Sequence, residues 1–235
     1  MQKATIGSWT ELASLIESHS DGAWLFRGED AEGNLLRPAA GRIGRERGAA
    51  RKKPYDEQHE IEALRLFKRE VKPHIVHEPE TELEWLAIAQ HHGMATRLLD
   101  WTESLLVAAY FAVVDAGVRS AGVIYGVKNL AAVTDVQAKK PFKIDKVRLY
   151  RPPHITSRIP AQRSVFTIHP NPVEEFRSAS LKKWIVDSQA CGRIKHILNS
   201  CAINESSLFP GIDGLSRYIR WRYKWAKFAT DASDA

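Results

Sequence analysis

Residues 90–113, QHHGMATRLLDWTESLLVAAYFAV, put a polar turn, a short strand and an apolar helix into one unbroken run, and the rest of the chain has to be arranged around them. Gly93, following His91 and His92, supplies the backbone freedom that a helix stop needs. Residues 96–101 then read as a short strand. Thr102 predicts an N-cap, Glu103 suits a first turn, and Leu105, Leu106, Ala108, Ala109, Phe111 and Ala112 make a helix apolar on nearly every side. Such a helix is expected in the core. Asp100 and Thr102 are therefore expected at the mouth of a strand-to-helix junction, where a braced scaffold holds polar groups beside a ligand. The same residues serve equally well as caps, or, for Asp100, as an ion-pair partner of Arg97.

Upstream, Trp9, Leu12, Leu15 and Ile16 recur at helical spacing, with Ser8 as N-cap and Glu11 completing a capping box. Residues 20–22 break that helix, and residues 23–28, AWLFRG, follow as an apolar strand ending on a charge. There Arg27 can present a planar set of donors to a phosphate while Gly28 lets the backbone approach a ligand closely. The alternative is an Arg27 paired with Glu29 or Asp30. Residues 37–55 lack apolar periodicity and cluster Arg45, Arg47, Arg51, Lys52 and Lys53, which predicts a mobile basic insertion attractive to a nucleic-acid backbone.

Ile61, Leu64, Phe67 and Val71 mark an amphipathic helix ended by Pro73, and residues 80–90 another. Strands are expected at 122–127 and 146–150. Residues 158–168 read as a turn and then a strand, with Gln162 at its entrance. Two helices are expected around Leu181, Trp184 and Ile185 and around Ile194, Ile197 and Leu198. In a last helix, 208–225, Arg217, Arg220 and Arg222 interleave with Tyr218, Trp221 and Tyr223. That mixture fits a nucleic-acid surface or a helix docking its tryptophans on the core.

With 235 residues, 44% of them hydrophobic, one domain spanning 1–235 is expected. No run nears the roughly 18 apolar residues of a membrane span, and the basic-then-apolar order of a signal peptide is missing, so a cytoplasmic protein with no membrane partner is expected. Cys191 and Cys201 form no CxxC and stand at no metal spacing with histidine, which argues against a metal site. The net charge of +6 is a modest pointer to an anionic partner.

The blocks WLFRGED, QHHGMATRLLDWT, AAYFA, RIPAQRSVF and SLFPGIDGL resemble, in the same order, the recurring blocks of the FRG-domain family. Their order is also similar to that of ADP-ribosyltransferases of the Arg-Ser-Glu type. That likeness implies an α+β fold with a split β core flanked by helices, and NAD as substrate. It implies that Arg27 holds the NAD pyrophosphate or ribose, that Gly28 docks the nicotinamide amide, and that Arg97 and Trp101 lie against the dinucleotide. Asp100 and Thr102 take the place of the second motif and Gln162 that of the catalytic glutamate, with His91 accepting a proton. The chain departs from the pattern twice: the first serine of the second motif is absent, and Gln162 is an amide, able to hydrogen-bond but uncharged. The implied activity is mono-ADP-ribosylation by a toxin or phage-defence effector, with RNA favoured over protein as acceptor and a neutralising antitoxin as partner. The alternatives are a non-catalytic module binding an NAD-like ligand or nucleic acid, and simple NAD hydrolysis.

Overall fold

The computed structural model describes residues 3–33, 35–42, 55–75, 78–115 and 121–231, with side chains over 4–223. Seven strands form one mixed sheet: β1 (Lys3–Ile6), β2 (Leu25–Glu29), β3 (Leu98–Thr102), β4 (Gly122–Val127), β5 (Arg148–Tyr150), β6 (Ser164–Ile168) and β7 (Lys182–Val186). Their order is β1-β7-β4-β2-β3-β6-β5. The β1–β7 pair is parallel, and the other neighbours are antiparallel. The helices are α1 (Trp9–Ser18), α2 (Glu57–Glu70), α3 (Glu82–His91), α4 (Leu105–Val113), α5 (Asp135–Lys139), α6 (Arg158–Gln162), α7 (Ser188–Ser200), α8 (Glu205–Leu208) and α9 (Ile212–Asp231). The fold is α+β.

Strand alternation divides the sheet into two apolar faces. On one, Phe26, Ile124, Trp184 and Val186 meet α1, α4 and α7 through Leu12, Ala108, Ala112, Ile194 and Leu198. Further along that face, Leu98, Phe166 and Ile168 meet α3 through Leu83 and Leu86. On the other, Leu25, Leu99, Trp101, Tyr125 and Val127 are covered by Leu36, Phe176 and other residues of the irregular segments. Strand β4 is covered on both sides, which explains its unbroken apolar sequence.

Helix α4 lies against β2 and β4 with no room between. A β-carbon on Gly28 would stand 1.9 Å from the Ala108 carbonyl oxygen, and one on Gly122 would stand 2.1 Å from that of Ala112. The glycine of the Phe26-Arg27-Gly28 run thus serves helix-on-strand contact, where the sequence pointed to an approaching ligand.

Several elements differ from expectation. Residues 182–186 form a central strand and not a helix: the 181, 184, 185 spacing mimicked a helical face, while the alternation Trp184, Val186 against Lys183 decided the outcome. Residues 158–162 form a short helix with Pro160 inside its first turn, where the missing N–H costs nothing. Ser104, not Thr102, caps α4, accepting from Val107 N. Within 37–55, Ala39–Arg42 is a 3-10 turn with Ala40 buried, whereas Arg45, Arg47, Arg51, Lys52 and Lys53 lie outside the described residues. Among the described residues no helix is long and apolar enough to cross a membrane, and no cluster of His, Cys, Asp or Glu could hold a metal ion.

Candidate functional site

Strands β2 and β3 pair at one position, Phe26 with Thr102, and separate beyond it. A cleft of about 300 Å3 opens there, at the lower end of the range for ligand pockets. Its walls come from β2 and β3, the end of α3, the outer side of α4, α6 and the residue after α8. Arg27, Asp100, Thr102, His91 and Gln162 all line it, with Gly28 in its floor. Residues separated by up to 135 positions in the chain therefore face one space, as the sequence required of them.

Arg27 bridges the parted strands. Its side chain is 15% exposed; Nε donates to Glu29 Oε1 at 2.7 Å and Nη1 donates to the Asp100 carbonyl at 2.8 Å. Arg42 approaches the same Glu29 oxygen at 3.6 Å. The Asp100 carboxylate is 57% exposed, accepts from Gln90 Nε2 at 2.8 Å, and has its other oxygen 3.5 Å from Arg27 Nη1. Gln90 in turn accepts from the Thr96 hydroxyl, so the acid is aimed by a relay that starts in the turn after α3. The pairing of Arg27 with Glu29 is the one the sequence offered as an alternative to ligand binding. Asp100, by contrast, pairs with Arg27 and not with Arg97.

Residues 22–119 match the family model of the FRG domain. That stretch of the chain is an FRG domain. Phe26, Arg27, Gly28, His91, Asp100 and Thr102 all fall within the FRG match, while Arg158, Gln162 and Phe209 complete the cleft from beyond it. No curated protein matches the chain, and no solved structure does.

Thr102 is buried in the FRG-domain wall with its hydroxyl fully used: it donates to the Gln162 carbonyl at 2.7 Å and accepts from Ser104 N at 3.0 Å. It fastens α6 to β3 and leads into α4. Gln162 holds the other side, donating from Nε2 to the Leu208 carbonyl at 2.9 Å and so tying α6 to α8. Arg163 follows in a left-handed conformation (φ 47°) that turns the chain into β6.

His91 forms part of the cleft wall, with Nδ1 3.1 Å from the Thr156 hydroxyl. Burial, then the neighbouring Arg158 and His92, hold its pKa down at about 4, so the imidazole is neutral at physiological pH. Two residues assigned to the dinucleotide have other work. Arg97 is fully buried away from the cleft, where it donates to Glu60, to Glu57 Oε2 at 2.8 Å and to the Tyr55 hydroxyl at 2.6 Å, tying α2 to the start of β3. Trp101 is among the residues lining the cleft, but its Nε1 donates to Thr167 Oγ1 at 3.0 Å and its ring packs in the core of the opposite face of the sheet.

The sequence did not single out the aromatic lining. Phe111 of α4 and Phe209 after α8 meet edge to face at 6.0 Å, and Arg158 lies over the Phe209 ring at 4.9 Å. Phe166 contributes from β6. Phe111, Phe166 and Phe209 each lie in a block that was visible as a motif, AAYFA, RIPAQRSVF and SLFPGIDGL, but their meeting in one lining was not.

Proposed function

We propose that this protein, through the cleft that its FRG domain helps to form, is an NAD-dependent mono-ADP-ribosyltransferase, with nucleic acid, RNA in particular, as acceptor. The observation that carries the reading is the convergence of Arg27, Asp100 and Gln162 on one cleft walled by Phe111, Phe166 and Phe209. Aromatic faces suit a planar base or nicotinamide ring. Asp100 is the carboxylate of that lining, set among the cations Arg27 and Arg158, and it can offer negative charge to a developing sugar cation.

In the proposed reaction the bond between the ribose C1′ and the nicotinamide nitrogen breaks, and its electron pair neutralises the pyridinium as nicotinamide leaves. The sugar is left cationic. Asp100, exposed towards the cleft and aimed by Gln90, supplies the negative charge that stabilises this cation in place of the missing glutamate. Arg27 positions Asp100 from behind. A nucleophile on the acceptor then bonds to C1′, and its proton passes to neutral His91, whose Nε2 is the ring nitrogen turned away from Thr156. In the cell the reading implies a toxin or phage-defence effector held in check by a neutralising protein.

A second reading, binding without chemistry, draws support from the internal partners that Arg27, Thr102 and Gln162 already have. Incubation of the purified protein with labelled NAD and either RNA or cell lysate separates the two. Label transfer that falls at least a hundredfold in Asp100→Asn supports the transferase; free ADP-ribose alone points to hydrolysis. Neither transfer nor nicotinamide release, with no rise in melting temperature on adding NAD, would sink the enzymatic reading.

A further inference from the structure

Across Arg158 and Phe209 from the cleft lies a second, wider groove of about 630 Å3. Phe111, Arg158 and Phe209 line both hollows, so the two meet at one shared wall. Lys195 from α7 and Arg217 and Arg220 from α9 face this groove together with Arg158, against Asp115 and Glu205. Four positive groups thus meet two negative ones. Glu205 is already engaged, accepting from the Tyr110 hydroxyl and from Arg217 Nε at 2.6 Å.

Among the described residues Arg158, Lys195 and Arg220 form no ion pair. Burial, followed by the neighbouring Arg217, lowers the pKa of Arg158, and burial lowers that of Lys195 against the opposing pull of Asp115 and Glu205. Arg158 donates to the His91 carbonyl at 3.2 Å and Lys195 to that of Val114 at 2.8 Å, so each is held by a neutral acceptor and not by a carboxylate. Cations so placed and partly stripped of water form a ready site for an anion. Their geometry is fixed as well, because Arg158 and Arg217 both lie over the Phe209 ring, at 4.9 and 5.2 Å. Arg27 is in the opposite situation, its donors being occupied by Glu29 and Asp100.

We propose that this groove is a phosphate subsite, in which Arg158, Arg217, Arg220 and Lys195 hold the diphosphate of a nucleotide ligand whose glycosidic end occupies the cleft. The assignment rests on the nucleotide reading of the cleft and moves phosphate recognition from Arg27 to the far wall. It also gives a role to the alternation of basic and aromatic residues at the start of α9, since Arg217 and Arg220 face the groove with Trp221 beside them.

Isothermal titration of the full chain with ADP, inorganic pyrophosphate, single-stranded RNA and nicotinamide riboside, which carries no phosphate, tests the proposal. Arg220 is exposed, so Arg220→Gln is expected to fold, and thermal melts check this for it, for the Arg158→Gln/Arg220→Gln double variant and for Arg27→Gln, whose affinities are scaled to its folded fraction. ADP and pyrophosphate should compete, and both should weaken at least tenfold in Arg220→Gln and further in the double variant. Nicotinamide riboside should bind Arg220→Gln as it binds the wild type, and Arg27→Gln should leave pyrophosphate affinity unchanged. Pyrophosphate and ADP binding of this pattern, with NAD neither bound nor cleaved, would fell the transferase reading and still support the subsite. Equal affinity of the variants for ADP and pyrophosphate overturns it. So does no binding of either probe, binding of single-stranded RNA alone, or a tenfold loss of pyrophosphate affinity in Arg27→Gln.

Discussion

Arg27 Nη1 donates to the main-chain carbonyl of Asp100 across 2.8 Å, from a strand that has just stopped pairing with the one carrying Asp100. A side chain does the bridging that the backbone ladder no longer does. That contact joins the first motif of the FRG domain to the acid of the second.

Arg27→Ala is therefore expected to act on stability as well as on the site. It removes the donor to a carbonyl and leaves the 8%-exposed Glu29 side chain without its closest cation, at a cost of about 2 kcal/mol. Urea denaturation should show this loss, while Arg27→Lys, lacking the planar fork, should recover only part of it. A ligand-binding defect in Arg27→Ala counts as a site effect only when scaled to the folded fraction.

Gly28→Ala should be the more damaging change of the pair. Its β-carbon would meet the Ala108 carbonyl oxygen at 1.9 Å and the Ala112 nitrogen at 2.6 Å, both main-chain atoms with no rotamer to yield. Overpacking of this kind costs about 3 kcal/mol. Circular dichroism melts of Gly28→Ala should fall well below those of Arg27→Ala; the reverse order would remove the packing role assigned to the glycine.

Gln162→Glu tests what the amide is for. Restoring a carboxylate replaces the Nε2 donor to the Leu208 carbonyl with an acceptor, so α6 and α8 lose their tie and face mutual repulsion. The variant should lose about 1–2 kcal/mol of stability and gain no transfer activity. A rise in label transfer would show instead that the charge, not the tie, limits the reaction.

Stability should decline on mild acidification. Burial holds the His169 pKa down at about 4 against the 6.5 of an ordinary histidine, so below pH 6.5 the unfolded chain takes up a proton that the folded one refuses. The resulting loss accrues as pH falls from 6.5 to about 4, levels off beneath that, and amounts to about 3 kcal/mol for this one side chain, which is 2% exposed. His91 shifts in the same direction. Urea midpoints measured between pH 7 and pH 4 should slope less steeply in His169→Gln, which keeps a polar partner for Thr167.

Much of this fold could be read from local pattern. The turn at Gly93, the β3–α4 junction, the Ser8 cap of α1 and the strand carrying Arg27 each follow from a few neighbouring residues. Strand β7 was misread because five residues, KKWIV, fit either period until β1 and β4 are seen on its two sides. The same limit applied within the site. That Arg27, Asp100 and Gln162 would meet was legible from the order of motifs. What each was bonded to was not: Arg27 reaches Asp100 across 73 positions, and Gln162 reaches Leu208 across 46. Arg97 shows the converse, since a charge beside a functional motif resembles a ligand contact until its burial against Glu60 and Tyr55 is visible.

The parting of β2 from β3 has a consequence for how tightly a small molecule can be held. A recess made by two paired strands diverging, with a helix backbone pressed on one of them through Gly28, is set in place when the chain folds. Its ordering cost is met before any guest arrives, so contact energy gained there goes into affinity and not into shaping the host.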